Sequence, residues 1–189
     1  MKTPLLQPTL WRTCRVLANE CRIRVLAHVV QAKRTSVCQT AAMCKMPVDQ
    51  ASINLRWLQS RGLLGVERVG RWTFYSPQAD ASVRDAAALL RIMTAAIQRR
   101  DDRQKMIQAL TACTHPRRLL LLQALKTGPL TAEQLARRYP FSLPAVYRHA
   151  DKLLRRGAIT QKAEHQPFCL VKPSNPLLAD LLVLVTGPL

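Results

Sequence analysis

The sequence predicts a mainly α chain with small β wings, in which one supersecondary unit occurs twice. The first observation is a repeat. Cys21-Arg22-Ile23-Arg24-Val25-Leu26 lies over Pro116-Arg117-Arg118-Leu119-Leu120-Leu121 at an offset of 95 residues, and the same offset places Gly62 on Gly157, Leu58 on Leu153, Arg61 on Arg156 and Ala41 on Ala136. The register runs without a gap from about Trp11–Leu90 onto Met106–Val185, as a duplicated unit would. The second observation is helical periodicity: Ala51, Leu55 and Leu58 share one face, leaving Gln50, Ser52, Ile53 and Arg56 nearer the other. The third is the segment C-terminal to that helix. Arg61-Gly62 stops the helix, because glycine takes the left-handed cap without a Cβ clash, and Val66, Val69, Trp72, Phe74 and Tyr75 form strands about a Gly70-Arg71 turn. A helix and then a basic hairpin is the layout of a winged helix, whose helix enters a DNA major groove while the hairpin lies along the flanking backbone. The expectation is therefore two tandem winged-helix domains, residues 1–95 and 96–189, joined by a long helix.

Taken in order, each unit begins with a helix, about Leu5–Ala18 and Asp101–Cys113. A second covers Glu20–Gln31 and His115–Lys126, and a third Ser36–Cys44 and Thr131–Tyr139. Thr131-Ala132-Glu133-Gln134 places a hydroxyl cap before a Gln at the third helical position, a capping box. The candidate recognition helices span about 48–60 and 143–156, with Pro47 and Pro144 at or near the first turn, where a missing N–H matters little. Wings come next at about 63–75 and 158–171, and closing helices at Ala81–Arg99 and Pro176–Val185. The first of these has no Gly or Pro and runs into Arg99-Arg100-Asp101-Asp102-Arg103, which reads as one long helix or two abutting ones. Its stripe Ala86, Leu89, Leu90, Met93 and Ile97 fits two uses, covering its own unit or packing between units or chains.

Charge narrows the partner. The net charge is +18, with 14 basic against 5 acidic residues up to Ala95 and 15 against 6 beyond it. An even spread fits two similar units facing one polyanion rather than a basic tail on a neutral body. Nearly half the residues are apolar, so a packed core is expected. No stretch of about 18 apolar residues occurs, so no membrane span is expected, and MKTPLLQPTLW is a poor signal peptide. Cysteines 14, 21, 38, 44, 113 and 169 have no paired spacing and fall mostly in apolar helical patterns, which reads as a reduced, cytoplasmic protein.

Several runs resemble the ArsR family of winged-helix repressors. In the first unit they are Leu17-Ala18-Asn19-Glu20-Cys21-Arg22-Ile23-Arg24-Val25-Leu26, Ala51-Ser52-Ile53-Asn54-Leu55 through Leu58, Gly62-Leu63 and Gly70-Arg71-Trp72-Thr73-Phe74-Tyr75. In the second they are His115-Pro116-Arg117-Arg118-Leu119, Val146-Tyr147-Arg148-His149 and Gly157-Ala158-Ile159. The resemblance covers nearly the whole chain, twice. It implies a transcription regulator in which the tandem copies form a monomeric pseudo-dimer with the terminal helices as common core; a homodimer through those helices is the other arrangement. Many relatives sense metals through a Cys-Val-Cys run, but here the aligned run is Ser36-Val37-Cys38, and one thiolate cannot hold a soft metal. No metal or other cofactor is expected.

The candidate DNA-contacting residues are Gln50, Ser52, Ile53, Arg56, Arg68 and Arg71 in the first unit, and Tyr147, Arg148, His149, Lys152, Arg155 and Lys162 in the second. Arg148 is the base-reading candidate, since a guanidinium matches the O6 and N7 acceptors of guanine. Ser52 and Ile53 occupy the places of Tyr147 and Arg148, which makes the first unit the weaker reader. The second wing, Lys162-Ala163-Glu164-His165-Gln166-Pro167, lacks a glycine turn and carries an acid. No glycine-rich phosphate loop, HExxH or nucleophile elbow occurs, so no enzymatic activity is expected. The partner is expected to be double-stranded DNA; the alternative is a winged-helix scaffold for protein interaction or chromosome architecture.

Overall fold

A computed structural model describes residues 9–187. The first half contains α1 (Leu10–Leu17), α2 (Glu20–Ala32), β1 (Thr35–Ser36), α3 (Val37–Met43), α4 (Val48–Gln59), β2 (Gly65–Val69), β3 (Trp72–Ser76) and α5 (Ala86–Gln98). The second contains α6 (Arg103–Ala112), α7 (Pro116–Leu125), α8 (Ala132–Arg138), α9 (Leu143–Arg155), β4 (Ile159–Gln161), β5 (Phe168–Leu170) and α10 (Pro176–Thr186). The chain is mainly helical with small antiparallel sheets, and the offset of 95 lays α3 on α8 and starts α4 and α9 at matching residues. Residues 5–8 of the expected first helix lie outside the described residues.

Local chemistry sets the ends of these elements. Ser36 and Thr131 both close capping boxes, with Gln39 and Gln134 returning the bond, so two orphan amides at each helix start are satisfied. Asn19 caps α2 and His115 caps α7, each through a ring or amide acceptor. Arg22 donates to the Val16 carbonyl and Arg118 to the carbonyls of Thr111 and Ala112, so in both halves an arginine satisfies the C-terminal end of the first helix. Gly62 (φ 70°) and Gly157 (φ 69°) take the left-handed turn after the fourth helix. At the hairpin tips Gly70 has φ 57°, and His165, its counterpart, has φ 63° without being glycine.

Of the two readings of the connecting segment, one long helix or two abutting ones, the structure has two helices with a short break between them. α5 stops at Gln98 and α6 starts at Arg103. Arg100 turns left-handed at φ 60°, the Asp101 amide donates back to the Ala96 carbonyl, and the Asp102 carboxylate accepts from the Lys105 amide. Two adjacent aspartates serve better as a cap than as helix interior, and the break results from that. Residues 81–85 are also not helical. The Asp80 carboxylate accepts from both the Ser82 amide and its hydroxyl, and this local turn delays α5 to Ala86. The second hairpin pairs Gln161 with Phe168 and so closes a six-residue loop, where the first closes the two residues Gly70-Arg71 between Val69 and Trp72.

The buried residues of both halves form one contiguous cluster. Equivalent helices meet across its middle: α1 lies on α6, and α5 lies on α10. The stripe Ala86, Leu89, Leu90, Met93 and Ile97 is buried in that common cluster. Leu58 and Leu153, the same position in the two halves, are both fully buried. No helix among the described residues is long and apolar enough to cross a membrane.

Candidate nucleic-acid interface

α9 is amphipathic. Ala145, Val146, His149, Ala150 and Leu153 face inward, and Arg148, Asp151, Lys152 and Arg155 are exposed. The helix begins at Leu143 after Ser142, with Pro144 in its first turn, and Gly157 ends it, so these outward groups are carried by about three turns of rigid backbone. Arg155 is tied to Asp151 at 3.0 Å, one turn back on the same helix. Arg148 and Lys152 make no ion pair among the described residues and project from the same face at helical spacing. Lys162 is exposed at the start of the second hairpin loop.

Two candidates sit differently from what their residue types suggest. His149 is only 6 % exposed and lies under the surface, where it does not reach a phosphate, contrary to the expectation from its residue type. Its ring centroid is 4.4 Å from that of His115. Burial first, then the charge of His115 and of Arg118, Arg148 and Arg117, pushes its pKa down to about 4, and the imidazole is neutral at physiological pH. Tyr147 is half-buried, and its hydroxyl lies 3.4 Å from Glu133 and 3.3 Å from His165, so it links α8, α9 and the second hairpin tip. The spacing that marks the inward face, 146, 149, 150 and 153, already contained His149; an Arg-His pair simply reads as two surface cations when taken alone.

In the first half, Gln50, Ile53 and Arg56 are exposed on α4, Ser52 is half-buried, and Arg68 and Arg71 are exposed on the hairpin. The Arg56 guanidinium donates to the Ser52 carbonyl at 3.4 Å, and the Gln50 carbonyl accepts from Asn54 at 2.8 Å. Arg71 packs over Trp72 at 5.3 Å, and Arg34 packs over Phe74 at 3.5 Å while pairing with Glu67 at 3.0 Å. Sequence reasoning passed over Trp57, which is 43 % exposed on the outer face of α4. Laying the halves over each other at offset 95 would have exposed it, because Trp57 falls on Lys152.

Beside each fourth helix lies an open cleft against the unit's first helix. In the second half it holds about 350 Å³ and is lined by Thr111, Thr114, Arg118, Asp151, Lys152 and Arg155 among others. In the first half it holds about 380 Å³ and is lined by Trp11, Arg12, Arg15, Arg22, Trp57 and Arg61 among others. Each cleft is arginine-rich, and among the described residues only the second contains a carboxylate, Asp151. Of the thiols, Cys14 and Cys113 are fully buried, and a hydrogen bond to Cys113 together with burial pushes the Cys14 pKa well above the usual thiol value. Cys38 is exposed, and the Ser36 hydroxyl accepts the Gln39 amide in its capping bond. Among the described residues no group of three His, Cys, Asp or Glu side chains could hold a metal ion. No family model, curated protein or solved structure matches the chain.

Proposed function

We propose that this chain is a DNA-binding transcription regulator whose tandem winged helices form a pseudo-dimer within one polypeptide. The observation that carries the reading is the outer face of α9: Arg148 and Lys152 are exposed one turn apart on a helix whose other face is buried, in a chain of net charge +18. A helix of that kind fits a major groove, where Arg148 would read a guanine edge and Lys152 and Lys162 would neutralise phosphates. The contact of α1 with α6 and of α5 with α10 supports the pseudo-dimer, since equivalent helices meet in pairs as they do about a twofold axis. The first unit would add backbone contacts through Arg68 and Arg71. With a base reader in the second unit and only backbone contacts from the first, the preferred site would be asymmetric.

The test is duplex binding at several salt concentrations. A reader of this kind has a steep negative slope of log affinity against log salt and retains a preference for its own site over competitor duplex. Arg148→Ala is expected to weaken the preferred site by about 1–3 kcal/mol and relax one base position. Wild-type affinity in an Arg148→Ala, Lys152→Ala double variant would overturn the assignment of this face.

A further inference from the structure

Nine large apolar side chains are substantially exposed among the described residues, and seven of them lie between Met43 and Trp72: Met43, Val48, Ile53, Trp57, Val66, Val69 and Trp72. Ile53 and Trp57 are one turn apart on the outer face of α4, at 45 % and 43 % exposure. Trp57 stands between two hollows, one shared with α1 and one along α4 beside Ile53, Arg56 and Ser60. The guanidiniums of Arg12, Arg15, Arg22, Arg56 and Arg61 line these hollows, and no carboxylate among the described residues does. Burial together with the neighbouring Arg12 lowers the Arg61 pKa, and the Arg61 Nε is buried without a hydrogen-bond partner among the described residues. An apolar ridge set in cations leaves both its apolar area and its charge without a counterpart among the described residues.

We infer that this α1–α4 face of the first unit docks an acidic amphipathic segment of a partner protein, with apolar anchors seated beside Trp57 and carboxylates on the surrounding arginines. Charge argues against a second copy as the occupant, since each copy brings a net +18 and eleven acidic residues against twenty-nine basic ones. Duplex DNA is a poor match, because Ile53 and Trp57 stand where the second half presents Arg148 and Lys152. Single-stranded nucleic acid needs open ring faces for base stacking. Here Arg61 sits over Trp57 at 5.7 Å and Arg12 over Trp11 at 4.9 Å. An acidic segment leaves those cation–π pairs in place and adds the missing negative charge. Trp and Arg are also the residue types that most often dominate protein interfaces.

The experiment uses the full chain and three labelled synthetic peptides, read by fluorescence anisotropy. The first repeats Leu at i, i+3, i+4 and i+7 with Glu elsewhere, the second scrambles that order, and the third replaces Glu by Gln. The first should bind at least about tenfold more tightly than either control, and Trp57→Ala should remove at least about tenfold of that affinity. Trp57→Lys, the residue the second half carries at this place, should act likewise, and duplex affinity should be unchanged in both variants. Equal binding of the scrambled peptide, full affinity in both Trp57 variants, or an oligothymidylate that binds tightly and loses as much as the peptide in Trp57→Ala would each overturn the inference. Peptide binding without any duplex binding would sink the proposed function and leave this face assigned.

Discussion

α4 and α9 hold the same place in the two halves and have opposite surfaces. Their inward residues match in kind: Ala51, Leu55 and Leu58 on one, and Val146, Ala150 and Leu153 on the other, all buried. Their outward residues do not. Ile53, Arg56 and Trp57 on α4 and its C-cap Ser60 correspond to Arg148, Asp151, Lys152 and Arg155 on α9 at the same register. Packing fixes the inner face of a duplicated helix, because any change there leaves a void or a clash. The outer face is free to take on a separate partner, and here two matched helices carry different surface chemistries. The hairpins differ in the same way: Val69, Arg71 and Trp72 at the first tip stand against Glu164, Gln166 and Pro167 at the second.

The sharpest way to break the comparison is at the inner face. Because one cluster contains buried residues from both halves, Leu58→Ala and Leu153→Ala should each destabilise the same single unfolding transition, by about 2–5 kcal/mol. Calorimetry showing two transitions, each moved by only one of the substitutions, would mean that the halves fold independently.

Acid should separate the halves next. His149 is held neutral down to about pH 4 in the folded chain, while the unfolded chain protonates it near pH 6.5. Below pH 6.5 the unfolded state binds more protons, so the stabilisation that is full above that pH is lost as pH falls towards 4, by up to about 3 kcal/mol. The matching residue of the first unit is Asn54, which does not titrate. Denaturant midpoints of wild type and His149→Asn should therefore converge between pH 7 and 4; parallel curves would remove His149 as the cause.

A smaller effect concerns the two glycines. Both take φ near 70°, which disfavours any residue with a Cβ by about 1–2 kcal/mol. A Cβ at Gly62 would also lie 2.8 Å from the Cβ of Val83, whereas one at Gly157 would meet nothing within 4 Å. Gly62→Ala should thus destabilise more than Gly157→Ala, and equal midpoint shifts would show that the loop around Val83 gives way.

Much of this fold was legible in the residues. The offset of 95, the Thr131 capping box and the two glycine stops are local or periodic signals, and each placed its element to within a few residues. The break at Arg99–Asp102 was legible only as one of two alternatives, because the run on either side has high helix propensity and the deciding event is a cap by Asp102 that competes with continuation. The burial of His149 and the exposure of Trp57 run against residue type: an imidazole can be buried as a neutral ring, and an indole left out where an arginine shields it. The shifted pairing of the second hairpin had no legible signal beyond the missing glycine and Pro167, which cannot donate to a ladder.

The finest test adds or removes one charge at matched positions. Lys152→Ala deletes a cation from α9 and should reduce the magnitude of the log–log salt slope for duplex binding by about 0.9, the increment of one phosphate contact. Trp57→Lys adds a cation at the equivalent place on α4. If both helices met the duplex in the same way, that substitution would steepen the slope by a similar amount. The apolar outer face of α4 argues that it does not lie against phosphate, so the expected slope for Trp57→Lys is that of wild type. A steeper slope would mean that α4 reaches the DNA despite its chemistry, and the two faces would then differ in affinity rather than in partner.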